Sequence, residues 1–146
     1  SLKSLRKNVA TTYGEVDFLG LTWDGDLIII ELKGDDPQKI FTSPIQVGFY
    51  QRLLAQVLEK YPNLYSNIYS MLKQKIELGL ITIPDGRTIP KSLSGKIKSW
   101  VIVGEEKNLS EEICSRYIKA KEIFCPDIET FTCINDGTLT KSEKLL

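Results

Sequence analysis

The run Leu27-Ile28-Ile29-Ile30, followed by Glu31-Leu32-Lys33 and Gly34, constrains this chain more than any other segment. A continuous apolar run of this length predicts a central strand covered on both faces, not an alternating strand with one wet face. Glu31 and Lys33 close that strand, and their spacing of two places them on the same face. A carboxylate and an ammonium at the end of a buried strand need partners, because unpaired burial of either is costly. A mutual ion pair, or a strand end reaching solvent at Gly34, would meet that need without any function.

The flanking segments supply the rest of the fold. Glu15–Thr22 has a period of two and reads as a strand, and Trp23-Asp24-Gly25-Asp26 reads as the turn of a hairpin. Gly34-Asp35-Asp36-Pro37 breaks the second strand, and Asp35 and Asp36 are ordinary turn residues there. A helix is expected from Ser43 to about Lys60, with Ser43 as N-cap, Pro44 at the first helical position and Gln46 closing a capping box. A second helix is expected over Ser66–Leu78, stopped by Gly79. Ile81–Gly95 reads as loop, Lys98–Gly104 as a strand, Ser110–Ile123 as a helix and Glu129–Ile134 as a last strand. The order predicts one α/β domain over residues 1–146, a mixed central β-sheet flanked by helices.

Hairpin parity decides whether the first strand can join Glu31 and Lys33. A three-residue loop, Asp24-Gly25-Asp26, would pair Trp23 with Leu27, Leu19 with Glu31 and Asp17 with Lys33. Asp17 would then share the face of Glu31, roughly 7–8 Å away at the backbone. A two-residue Asp-Gly loop would turn Asp17 to the other face. An odd-length loop, or a bulge of the same effect, is therefore expected. On the following helix, a wheel puts Phe49, Leu53, Leu54, Val57 and Tyr61 on one apolar face, with Gln46 and Tyr50 near its centre. An inward glutamine must hydrogen-bond something. Gln46 could serve the Ser43 amide, and Tyr50 could be a half-buried core aromatic.

Composition narrows the chemistry. The 146 residues contain no histidine, which excludes Ser-His-Asp and Cys-His catalysis and histidine zinc sites. Acid–base work falls to carboxylates, lysine or metal-activated water, and any metal would be a hard cation such as Mg2+ or Mn2+ held by oxygens. The three cysteines, Cys114, Cys125 and Cys133, lack metal-ligand spacing and read as reduced thiols of an intracellular, cytoplasmic protein. Nineteen basic residues balance nineteen acidic ones, so net charge carries no nucleic-acid signal. Lys39, Arg52, Lys91, Lys96 and Lys98 could still form a local basic strip. No apolar run is long enough for a membrane span. The opening Ser1-Leu2, without a methionine, suggests a trimmed chain, the C-terminal part of a longer one.

Taken together, Asp17, Glu31-Leu32-Lys33 and Gln46-Val47-Gly48-Phe49-Tyr50 resemble the PD-(D/E)xK nuclease superfamily, including the Gln-xxx-Tyr helix of its RecB-like branch. The motif resemblance covers Gly14 to about Lys60, and later elements extend it in order only. It implies a restriction-endonuclease-like core in which Asp17, Glu31 and the Leu32 main-chain carbonyl would hold Mg2+ or Mn2+. Lys33 would orient or deprotonate the attacking water, and Gln46 and Tyr50 would position a phosphate or hold Lys33. The implied reaction is hydrolysis of nucleic-acid phosphodiesters, with DNA the expected partner and a homodimer a way to cut two strands. Two departures stand out. Val16 replaces the motif proline, and the first core helix is at most a stub at Ser1–Asn8, with Glu15 as the substitute for the acid that helix often donates. A catalytically silent nuclease-fold module that binds nucleic acid, or a subunit of a larger complex, is the alternative.

Overall fold

A computed structural model of the chain describes residues 15–34, 40–104, 106, 109–134 and 137–146. The elements are β1 (Phe18–Leu21), β2 (Leu27–Lys33), α1 (Ser43–Lys60), α2 (Asn63–Glu77), β3 (Ile97–Val103), α3 (Glu111–Phe124), β4 (Glu129–Cys133) and β5 (Leu139–Lys141). The strands form one mixed sheet in the order β1-β2-β3-β4-β5. β2, β3 and β4 run parallel, and β1 and β5 are antiparallel edges among the described residues. Parallel neighbours require crossovers, which α1 and α2 supply between β2 and β3 and α3 supplies between β3 and β4. The α/β expectation therefore holds, and β2 lies inside the sheet. The stub at Ser1–Asn8, the turn residues Asp35 and Asp36, and Lys39 lie outside the described residues.

Alternation along the strands places the core. Ile29, Val101 and Val103 share one cluster with Val47 and Tyr50 of α1 and Tyr117 of α3. The Tyr117 hydroxyl, in the core, lies 2.6 Å from the Thr130 hydroxyl on β4. α1 crosses α3 at Gly48, where a Cβ would come within 2.6 Å of the Phe124 carbonyl oxygen. The opposite sheet face is covered less. Leu27, Ile28 and Ile29 are buried, but Leu32 is 42% exposed. Coverage on both faces thus reaches only the first half of β2 among the described residues.

Several expected details are corrected. The hairpin loop is Trp23-Asp24-Gly25, not Asp24-Gly25-Asp26. The Thr22 amide donates to the Asp26 carbonyl (2.9 Å), and the Gly25 amide donates to the Thr22 carbonyl (3.1 Å). Gly25 sits at φ +89°, the left-handed residue that a three-residue hairpin loop requires. Its missing side chain also admits the 92–94 backbone, with Ser92 oxygen 2.7 Å from the Cβ position. Asp26 then turns inward. The Ser94 hydroxyl donates to it at 2.5 Å and the Lys98 ammonium lies 3.0 Å away, tying the loop before β3 to the hairpin. The pairing Leu21↔Leu27 and Leu19↔Ile29 shifts the register by two residues from the one expected, so face parity survives.

The first strand is shorter than Glu15–Thr22, and β5 had no counterpart in the sequence reading. α1 is capped at Thr42 without a side-chain cap bond, so the Ser43–Gln46 capping box does not form; the Ser43 hydroxyl donates to the Ile40 carbonyl instead. Its buried face carries Val47, Tyr50 and Leu58, whereas Phe49 is 61% exposed and Leu53 and Tyr61 also face outward. Tyr50 lies in the core as expected and Leu54 packs against it, so the buried face is rotated from the expected one and Phe49, Leu53 and Tyr61 form a second apolar stripe. α2 starts at Asn63 and ends as expected. The Gly79 amide donates to the Ile76 carbonyl and the Leu80 amide to the Lys75 carbonyl, a Schellman closure. α3 starts one residue later than expected, at Glu111, because Ser110 is its cap and accepts from the Ile113 amide at 3.4 Å.

Candidate functional site

The site lies where β1 gives out beside β2. Extending the observed register one step beyond Phe18↔Ile30 sets Asp17 across from Glu31. Counting from the bonded Thr22–Asp26 pair, this is a non-hydrogen-bonded position, where facing side chains are closest. The ladder stops there. Asp17 lies in a bend, and its Oδ2 accepts the Leu32 amide at 2.7 Å. By the same alternation, the Leu32 carbonyl points to the β1 side at a rung that β1 does not reach.

Glu31 is 3% exposed. Its Oε1 accepts from the Lys33 ammonium at 2.5 Å, while its Oε2 is buried with no hydrogen-bond partner. Burial pushes the Glu31 carboxyl above the usual glutamate range; Lys33 opposes this and the Asp17 charge adds to it. An unsatisfied buried polar atom costs about 1–3 kcal/mol, and more when charged. The site therefore favours a proton or a cation at Oε2. Tyr50, on α1, is 7% exposed. Burial raises its phenol pKa, and the charges of Glu31, Asp17 and Glu15 raise it further, so the hydroxyl stays protonated. One strand end thus gathers Asp17, Glu31 and Lys33, with Tyr50 in their electrostatic field.

Two expected members do not join in. Gln46 is half-buried one turn before Tyr50, but its side chain bonds none of these groups among the described residues. Glu15 is exposed, and the described residues hold no cluster of three or more histidine, cysteine or acidic side chains placed to hold a metal. Available oxygen donors are two carboxylates and the Leu32 main chain. That set suits Mg2+ or Mn2+, which are commonly bound through one or two carboxylates and keep several waters; it does not suit a closed zinc cage.

The expected basic strip is partly spent. Lys98 is paired with Asp26, and the Arg52 guanidinium donates to the Phe124 carbonyl at 3.2 Å. Lys91 and Lys96 remain exposed. What sequence reasoning missed is a cleft of about 720 Å3 that Asp17 also borders, walled by β1, α2 and the 81–93 segment. Its sequence signal was the spacing of Leu64, Ile68 and Leu72 on α2, an apolar stripe with no assigned partner. Comparison of the chain with protein-family models, with curated proteins and with solved structures gives no match. No described helix is long and apolar enough to cross a membrane.

Proposed function

We propose that this chain is a metal-dependent nuclease with a PD-(D/E)xK-type site, formed by Asp17, Glu31 and Lys33 on a restriction-endonuclease-like core. The observation that carries this reading is the buried Glu31 Oε2, left without a partner beside Asp17 and Lys33. The position of Glu31 and Lys33, on an interior strand whose next fully described helix, α1, carries Tyr50, supports it. Asp17 and Glu31 would hold Mg2+ or Mn2+, together with the Leu32 carbonyl. When bound, the ion would polarise a phosphoryl oxygen and make nearby water more acidic. Lys33, 13% exposed at its side chain, would leave Glu31 for the phosphate and steady its developing charge. The protonated Tyr50 would donate to a phosphate oxygen, and DNA is the expected substrate.

A second reading, a nuclease-fold module that binds nucleic acid without cutting it, is favoured by one observation. Lys33 is bonded directly to Glu31, as in a purely structural ion pair. Thermal melting with increasing MnCl2 separates the two. Stabilisation near 2.7 kcal/mol at a hundredfold excess over Kd, absent in Glu31→Gln, supports the nuclease. No stabilisation of the wild-type chain supports the silent module.

A further inference from the structure

The cleft beside Asp17 has an unusual wall. Every residue from Asp17 to Trp23 lines it, so the cleft follows the whole of β1. β1 pairs with β2 on one side and, among the described residues, ends the sheet on the other. Because Thr22 bonds Asp26, the alternation turns the amides and carbonyls of Leu19 and Leu21 outward, into the cleft. Among the described residues these four groups have no partner. The facing wall is α2, where Ile68, Met71 and Leu72 point at the gap. No residue of α2 is buried, and Met71 is 50% exposed. An amphipathic helix gains stability by burying its apolar stripe, and here that stripe faces a space that no described residue fills.

We propose that this cleft takes one extended peptide segment of a partner protein, added as a strand to the edge of β1, with alternate apolar side chains against α2. The outward groups of Leu19 and Leu21 recur at the two-residue repeat of a peptide strand. Apolar walls on both sides favour a peptide over a nucleic-acid strand, whose phosphates would need cations. Lys75 is the one cation among the described cleft-lining residues, and Asp17 is an anion there. The cleft shares Asp17 with the proposed metal site, but the peptide contacts proposed lie at Leu19 and Leu21 and do not depend on the nuclease reading.

The test is amide exchange by NMR on the full chain, with and without a ten-residue peptide of alternating valine and threonine flanked by lysines. Leu19 and Leu21 amides are expected to exchange quickly in the chain alone and to slow at least about tenfold with peptide, while Gly20, already in the ladder, changes little. Leu21→Pro removes one outward amide without touching the β1–β2 ladder and should weaken peptide binding about tenfold. Leu21→Thr keeps the amide and should bind within about threefold of wild type. Retained Gly20 protection shows that the hairpin is intact in each variant. Unchanged exchange at Leu19 and Leu21 at saturating peptide would overturn the proposal. So would equal binding by an intact Leu21→Pro variant, or protection of these amides by a single-stranded oligonucleotide in place of the peptide.

Discussion

Asp17 Oδ2 accepts the Leu32 amide at 2.7 Å, filling the rung of the sheet that Val16 would occupy in a longer β1. The same carboxylate therefore ends a strand and lies beside Glu31. These two roles can be separated. Asp17→Asn keeps an acceptor for Leu32 and removes the charge; Asp17→Ala removes both. Asparagine should leave urea stability within about 0.5 kcal/mol of wild type, and alanine should cost about 1 kcal/mol. Both should weaken Mn2+ binding at least about tenfold by calorimetry. Unchanged Mn2+ binding in Asp17→Asn would remove Asp17 from the site.

Glu31 gives a pH signature. Its folded pKa is raised, so folding favours the protonated acid and the buried charge costs stability. The cost is absent below the ordinary glutamate value of 4.5 and grows as pH rises through the higher folded value. Glu31→Gln removes it. Urea unfolding should show the variant equal to wild type near pH 4 and more stable by about 0.5–2 kcal/mol at neutral pH, with metal binding lost. Asp26, whose carboxyl is held low by Ser94 and Lys98, titrates in the opposite sense and cancels in this difference. A Glu31→Gln protein less stable than wild type at pH 7 would mean that the Lys33 ion pair outweighs the desolvation.

Gly48 positions the helix that carries Tyr50. Its absent side chain admits the Phe124 carbonyl and Cys125, so Gly48→Ala must push α1 away from α3. Overpacking of this kind costs about 1–3 kcal/mol. Thermal melting should show that loss, although alanine is the better helix former. A gain in stability would place the two helices further apart than described here.

Much of the fold was legible because local chemistry and tertiary structure agree. The β2 bounds follow from the apolar run, Gly79 stops α2, and Ser110 caps α3. The hairpin register was not legible, because it depends on Asp26 turning inward to Ser94 and Lys98, which are far along the chain. The inward place of Tyr50 on α1 was legible, but Phe49 and Leu53 make a second apolar stripe, and only the packing of α1 selects Val47 over them. β5 is three exposed residues with no periodicity to read. Within the site, residue types and parity exposed Asp17, Glu31 and Lys33 as a set. The orphaned Glu31 oxygen and the open β1 edge are set by tertiary packing, which leaves no local sequence signal.

Cleavage of labelled single- and double-stranded DNA with Mg2+, Mn2+ or EDTA, comparing wild type with Lys33→Ala, tests the central claim most directly. Metal-dependent cutting by wild type, reduced about 100-fold or more in a Lys33→Ala protein with an unchanged circular dichroism spectrum, is the predicted result. Equal cutting by both proteins, or no cutting by a folded wild-type chain that binds the metal, would contradict it.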